Sequence, residues 1–249
     1  MKTTPLLPET DLARIALLPT DEKVIALRKF RSGRPRHSWA PFRGALKGIF
    51  NTRKALLDLP PCVLADVEAA ITRACRANPD WLEPNLEPDW LEPNLELGRL
   101  LFQHAATSGF DALEHGFTAV PIGFSATVKF WHDFFQVQDD RPVIPFVDPR
   151  RGNGLTRLAK RFVFSAMYHH IGTGDFADAM FRIYQFPVRE QGSSERFIVI
   201  HDFVASEIVD LDELNAGIQE TYELWFEVLH DREREARMKR AAGGEGFGF

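Results

Sequence analysis

Residues 146–157, FVDPRRGNGLTR, set Arg150, Arg151 and Arg157 around two glycines, between a strand-like apolar run and a helix-like one. Glycine lets a backbone approach a guest closely, and a helix start offers unpaired N–H groups and the positive end of the peptide dipole. The segment is therefore a setting for a phosphate or carboxylate. Neither the GxxxxGK[ST] nor the GxGxxG spacing is present, so it is no standard nucleotide loop. A second cationic stretch lies upstream. Residues 28–54 carry Arg28, Lys29, Arg31, Arg34, Arg36, Arg43, Lys47, Arg53 and Lys54 with no Asp or Glu between them. Trp39 and Phe42 are interleaved, a composition suited to a phosphate backbone plus base stacking.

The strand that leads into FVDPRRGNGLTR suggests sharper chemistry. If Asp139-Asp140 is a hairpin turn, Asp133 lies across from Phe146, and Asp133, Asp148 and Arg150 share a sheet face. An acidic residue on one strand and an acidic-x-basic element on the next resembles the core of the PD-(D/E)xK nucleases. The resemblance covers roughly 25 residues, with Asp148-Pro149-Arg150 standing at the second element. It implies carboxylates holding Mg²⁺ or Mn²⁺ and a basic residue at the attacking water. Arginine is a poor proton acceptor, so Arg150 would stabilise charge there. Otherwise no cofactor is expected.

Other reactive residues form no motif. His169 and His170 precede Asp175 and Asp178, and His201-Asp202 ends a strand-like run, but no HExxH spacing exists. A metal set of His170, Asp175 and His201 requires the second hairpin to fold back; otherwise these are one core histidine and surface neighbours. GFSAT is not GxSxG. Cys62 and Cys75 are the only cysteines, which excludes a disulfide framework and a cysteine-rich zinc site.

These residues must be positioned by ordinary globular elements. In 249 residues, 45% are hydrophobic and 26% charged, and the net charge is −5. That balance argues against a general polyanion binder and against disorder. No secretory leader or membrane-length apolar run is seen, so a cytoplasmic protein without a membrane partner is expected. Helical spacing recurs over 20–33, 41–57, 61–75 and 97–109. Residues 79–96 read PDWLEPNLE twice. The prolines are too frequent for a continuous helix, so one copy reads as a connector and the other as a loop insertion; the alternative is a twin aromatic contact through Trp81 and Trp90. Then follow strands over 125–138 and 141–149, a helix over 152–171, strands over 181–188 and 196–203, and a long amphipathic helix from Asp210.

The expected fold is α+β: a helical region 1–116, a ββαββα antiparallel-sheet region 117–231 in the same compact unit, and a charged extension with a Gly-rich tail over 232–249. The leading functional expectation is a non-enzymatic protein contacting nucleic acid through Arg31, Arg34, Arg36, Arg150, Arg151 and Arg157. The alternatives are the metal-dependent nuclease using Asp133, Asp148 and Arg150, and a protein-interaction module. In the last, the C-terminal helix and the repeat's tryptophans meet a partner or a second copy.

Overall fold

The computed structural model describes residues 6–30, 38–52, 61–77, 90–123, 126–152, 154–190 and 195–243, with side chains to residue 239. Five helices come first: α1 (Glu9–Ile15), α2 (Thr20–Lys29), α3 (Ala40–Ile49), α4 (Leu64–Arg76) and α5 (Leu91–Ser108). Prolines start three of them. Pro8 and Pro19 precede α1 and α2, and Pro41 sits in the first turn of α3, where an N–H would have no intrahelical acceptor. Asp21 and Glu22 open α2 and Arg28 and Lys29 close it, each sign facing the dipole end that favours it. Gly109, at φ 66°, ends α5 in the left-handed conformation.

The second copy of the repeat is more than a connector. Helix α5 begins inside it, and Pro93 falls in the first turn, so the prolines do not prevent that helix. Its Asn94 is fully buried. The Asn94 amide oxygen accepts from Phe42 N at 3.0 Å, capping α3, while its nitrogen donates to Ser38 O and Trp90 O. The first copy, with Trp81, lies outside the described residues, as do Arg31, Arg34 and Arg36.

The main sheet runs in the order β1-β4-β5-β6-β7. Its strands are β1 (Asp111–Glu114), β4 (Phe134–Gln138), β5 (Arg141–Asp148), β6 (Met180–Gln185) and β7 (Val199–Asp202), and β2 (Val120–Pro121) pairs separately with β3 (Thr127–Val128). The hairpin register is the expected one, with Gln138 opposite Arg141 and both Asp139 and Asp140 at positive φ in the turn. The sheet is mixed rather than wholly antiparallel. Strands β5 and β6 pair in parallel from Val143↔Met180 to Asp148↔Gln185. Parallel neighbours need a long crossover, and α6 (Arg157–Ile171) supplies it, with Thr156 Oγ1 accepting from Ala159 N at its start. Helix α7 (Leu211–Gly243) closes the chain.

Alternation along the strands divides the interior in two. Ile144, Phe146, Phe181 and Ile183 join a core built with α1, α2, α6 and α7, while Phe134, Val147, Tyr184 and Phe186 join one built with α3, α4 and α5. Helices and sheet therefore share both cores. Leu214, Ile218, Tyr222 and Trp225 of α7 are buried, whereas residues 233–239 are exposed. Arg232 stacks over Trp225 and donates to the carbonyls of Leu27, Arg28 and Phe30, satisfying the end of α2. Cys62 and Cys75 are free thiols.

Two consequences can be measured. A Cβ at Gly217 would lie 2.6 Å from the Ala16 carbonyl oxygen, so Gly217→Ala pushes α7 off α1 and should cost about 1–3 kcal/mol in urea unfolding. Deleting residues 79–87 leaves an identical nonapeptide entering α5. It should change stability by under about 1 kcal/mol, against about 1–3 kcal/mol for Asn94→Ala.

Candidate functional site

The segment expected to hold an anion lies at the carboxyl ends of the parallel strands. Asp148 closes β5 and Gln185 closes β6, side by side. The Asp148 side chain is wholly buried. Its Oδ2 accepts from Leu155 N at 2.9 Å and from the Gln185 amide at 3.4 Å. Its Oδ1 accepts from Arg150 Nε at 3.1 Å and from the Arg150 N–H at 3.4 Å. Arg150 then reaches back to Asp11 of α1 at 3.0 Å. Gly154 makes the wrap possible, since a Cβ there would stand 3.0 Å from Gln185 Nε2 and 3.3 Å from Asp148 Oδ2. The acceptor that fills this strand-to-helix turn is thus the chain's own carboxylate.

The remaining loop cations are also engaged. Arg151 lies 3.7 Å from Glu96, the last residue of the repeat, and Arg157 donates to Glu207 at 2.9 Å from a largely exposed position. Glu96 also faces Arg196 at 3.4 Å. Arg196 is buried, donates to the Pro149 carbonyl and lies over the Trp39 ring. Desolvation pulls its pKa down, and Glu96 opposes that. In the upstream basic stretch, Arg43 pairs with Glu9 and Lys47 with Glu114.

Asp133 does not join Asp148. It sits at a bend before β4, more than half exposed, where it accepts from Lys129 at 2.6 Å and from Phe117 N at 3.2 Å. The Lys129 bond holds its pKa below the usual carboxylate value. Asp133 and Asp148 share no partner, and among the described residues no three His, Cys, Asp or Glu side chains gather as a metal would require. The proposed His170, Asp175 and His201 set is likewise not assembled. His169 instead bonds the Val209 carbonyl, and His170 packs near Trp131.

What the residue pattern missed is a polar chain on the α6 side of the sheet. His201 lies opposite Ile183, so it and Gln185 share the face that Asp148 occupies. His201 Nε2 is 2.9 Å from Gln185 Oε1, and the Lys160 amine of α6 lies against the same ring, 3.2 Å from Nε2 and 3.4 Å from Nδ1. The usable signal was the polar residue ending the apolar run FRIYQ, but its neighbours depend on a strand register the sequence alone did not supply.

The two carboxylates can be separated by stability. Asp148→Ala takes the buried partner from the half-buried Arg150 and leaves Leu155 N and the Gln185 amide without their acceptor, and should cost about 3–5 kcal/mol. Asp133→Ala removes an exposed pair and should cost under about 1 kcal/mol. Chemical denaturation of both variants checks the difference.

Comparison with known proteins corrects the functional expectation. A family described as "Sliding clamp-binding bacterial toxin SocB" matches residues 10–235. The DNA replication inhibitor toxin SocB of Caulobacter vibrioides (strain NA1000 / CB15N) is 33% identical over 240 residues, 96% of this chain and 95% of that protein. No solved structure matches. The family's description names a protein as its target, which overturns the nucleic-acid-binding reading of Arg31, Arg34, Arg36, Arg150, Arg151 and Arg157. It equally overturns the nuclease reading of Asp133, Asp148 and Arg150. At Arg150, Arg151 and Arg157 the physical error was to count cations without their internal partners; Arg31, Arg34 and Arg36 lie outside the described residues. With the match running from α1 into the exposed end of α7, this chain belongs to the SocB family of sliding clamp-binding bacterial toxins.

Proposed function

We propose that this chain is a toxin that inhibits DNA replication by binding the bacterial sliding clamp. The observation that carries the reading is the extent of the likeness: the 33% identity spans 96% of the chain, helical and sheet regions alike. The internal pairing of the loop arginines supports it, because a protein contact does not need the open cationic surface that a phosphate backbone demands. Helix α7 offers a partner its exposed final turns, residues 233–239, since its apolar stripe is consumed by the core. Among the described residues no helix is long and apolar enough to cross a membrane.

The test has a binding arm and a cellular arm. Purified chain passed over immobilised sliding clamp should be retained in a saturable way, with little dependence on added DNA. Induced in a bacterial host, it should depress labelled thymidine incorporation before protein synthesis falls, and extra clamp should relieve the block. Growth arrest with thymidine incorporation intact, or no retention on the clamp, would overturn the proposal.

A further inference from the structure

Residues 233–239 leave the body of the molecule. Helices α2 and α7 run in the same direction: Thr20 and Lys23 meet Glu220, and Arg232 reaches the Phe30 carbonyl at the far end of α2. With a rise of about 1.5 Å per residue, Met238 stands about 9 Å beyond that end. Every side chain over 233–239 is exposed. Met238, at 64%, is the most open large apolar side chain among the described residues. A helical end without tertiary contacts has little to hold it but propensity.

A groove of about 760 Å³ opens between α1 and α2. Ile15 and Leu18 enter it from α1. From α2 come Glu22, Ile25, Ala26 and Lys29, whose spacing of three, four and seven makes them one helical face. Thr20 and Lys23 turn instead to α7, so the groove face of α2 is not the one that α7 covers. Ile25 is 53% exposed there. Of the groove's charges, Asp11 is engaged by Arg150 and faces Arg14. Glu22 and Lys29 are in no ion pair among the described residues. On the projecting turns, Asp231 and Glu233 take Arg234 and Arg237, which leaves Glu235 and Lys239.

The two surfaces carry the same order of groups. An acid precedes the exposed apolar side chain, Glu22 before Ile25 and Glu235 before Met238, and a lysine follows, Lys29 and Lys239. Laid antiparallel to α2, the projecting turns set Met238 on Ile25, Glu235 against Lys29 and Lys239 against Glu22. Helix dipoles then oppose as well, whereas a parallel placement brings like charges together. The turns cannot reach the groove of their own chain, because Ile25 lies before the end of α2 and Met238 beyond it.

We infer that the groove receives the end of α7 from a second copy of this chain, in a twofold pair where each copy both gives and receives a helix end. The exchange is reciprocal, so it closes at two copies. It also covers the turns that a single copy offers to another protein. That consequence, competition between self-association and the clamp, is the only part resting on the proposed function.

Sedimentation equilibrium of the full-length chain from about 1 to 100 μM should show a mass rising to that of two chains and no further. Met238→Glu and Ile25→Glu, both at exposed positions outside the core, should each weaken association about tenfold or more. Reversing the groove charges with Glu22→Lys and Lys29→Glu should weaken it likewise, and adding Glu235→Lys and Lys239→Glu should restore it. Mixing Ile25→Cys chains with Met238→Cys chains under oxidation should give a disulfide-linked pair. Neither variant alone should do so, nor the unsubstituted chain with its free Cys62 and Cys75. A single-chain mass throughout overturns the inference. A pair indifferent to these substitutions overturns the groove as its seat, and masses climbing past two chains overturn the closure. None of these measurements contains the clamp, so their outcome is separate from that of the proposed function.

Discussion

The arrangement turns on one buried carboxylate. Asp148 stands where β5 ends, and four donors converge on it: two from Arg150, one from Leu155 just ahead of α6, and one from Gln185 on the neighbouring strand. A carboxylate without water is tolerable only when its oxygens are fully employed. Here that need ties the crossover helix to the sheet at the point where the parallel pair ends. The Arg150 it recruits carries the tie outward to Asp11, so α1 is fastened to the same turn. Removing this charge would loosen three elements, which is why its role is read as structural although its position is typical of an active site.

The same economy explains the treatment of cations elsewhere. Glu96 serves both Arg151 and Arg196, and the latter is among the most buried charged side chains of the chain. Burying a guanidinium demands partners on every side, and Arg196 receives a carboxylate, a carbonyl and an indole face. Asn94 and Glu96, both in the second nonapeptide, therefore organise α3 and the loop after β5. A duplicated stretch of sequence thus holds one copy bound to specific tertiary partners, and loop insertion describes at most the other.

Much of the fold was legible. Helical periodicity in 61–75 located α4, the Asp139-Asp140 turn set the hairpin register, and the apolar stripe from Leu214 to Trp225 marked the buried face of α7. What escaped was non-local. The strand expected over 125–138 is interrupted because Phe130 and Trp131 turn into the core, and β1 was hidden in a stretch assigned to helices. Parallel pairing of β5 with β6 leaves no local mark, since it depends on where a crossover returns. The site was legible as residue types and illegible as partners: Asp11 lies far from Arg150 in sequence, and nothing near the loop announces it.

His201 and Asp202 show how far one residue of register carries. They are neighbours in the chain, yet alternation sends them to opposite faces of β7. Asp202 accepts from Arg182 at 2.6 Å, in a network with Gln138 that borders the core of α3, α4 and α5. Beside it, Tyr184 donates to Gln136, and burial pushes its pKa up to about 12, so it stays a neutral donor. His201 belongs to the other side, with Gln185 and Lys160. A reading that groups charged residues by proximity in sequence merges these two networks into a single reactive cluster. The sheet separates them, leaving the Arg182–Asp202 ion pair on one side and a lysine amine set against an imidazole ring on the other.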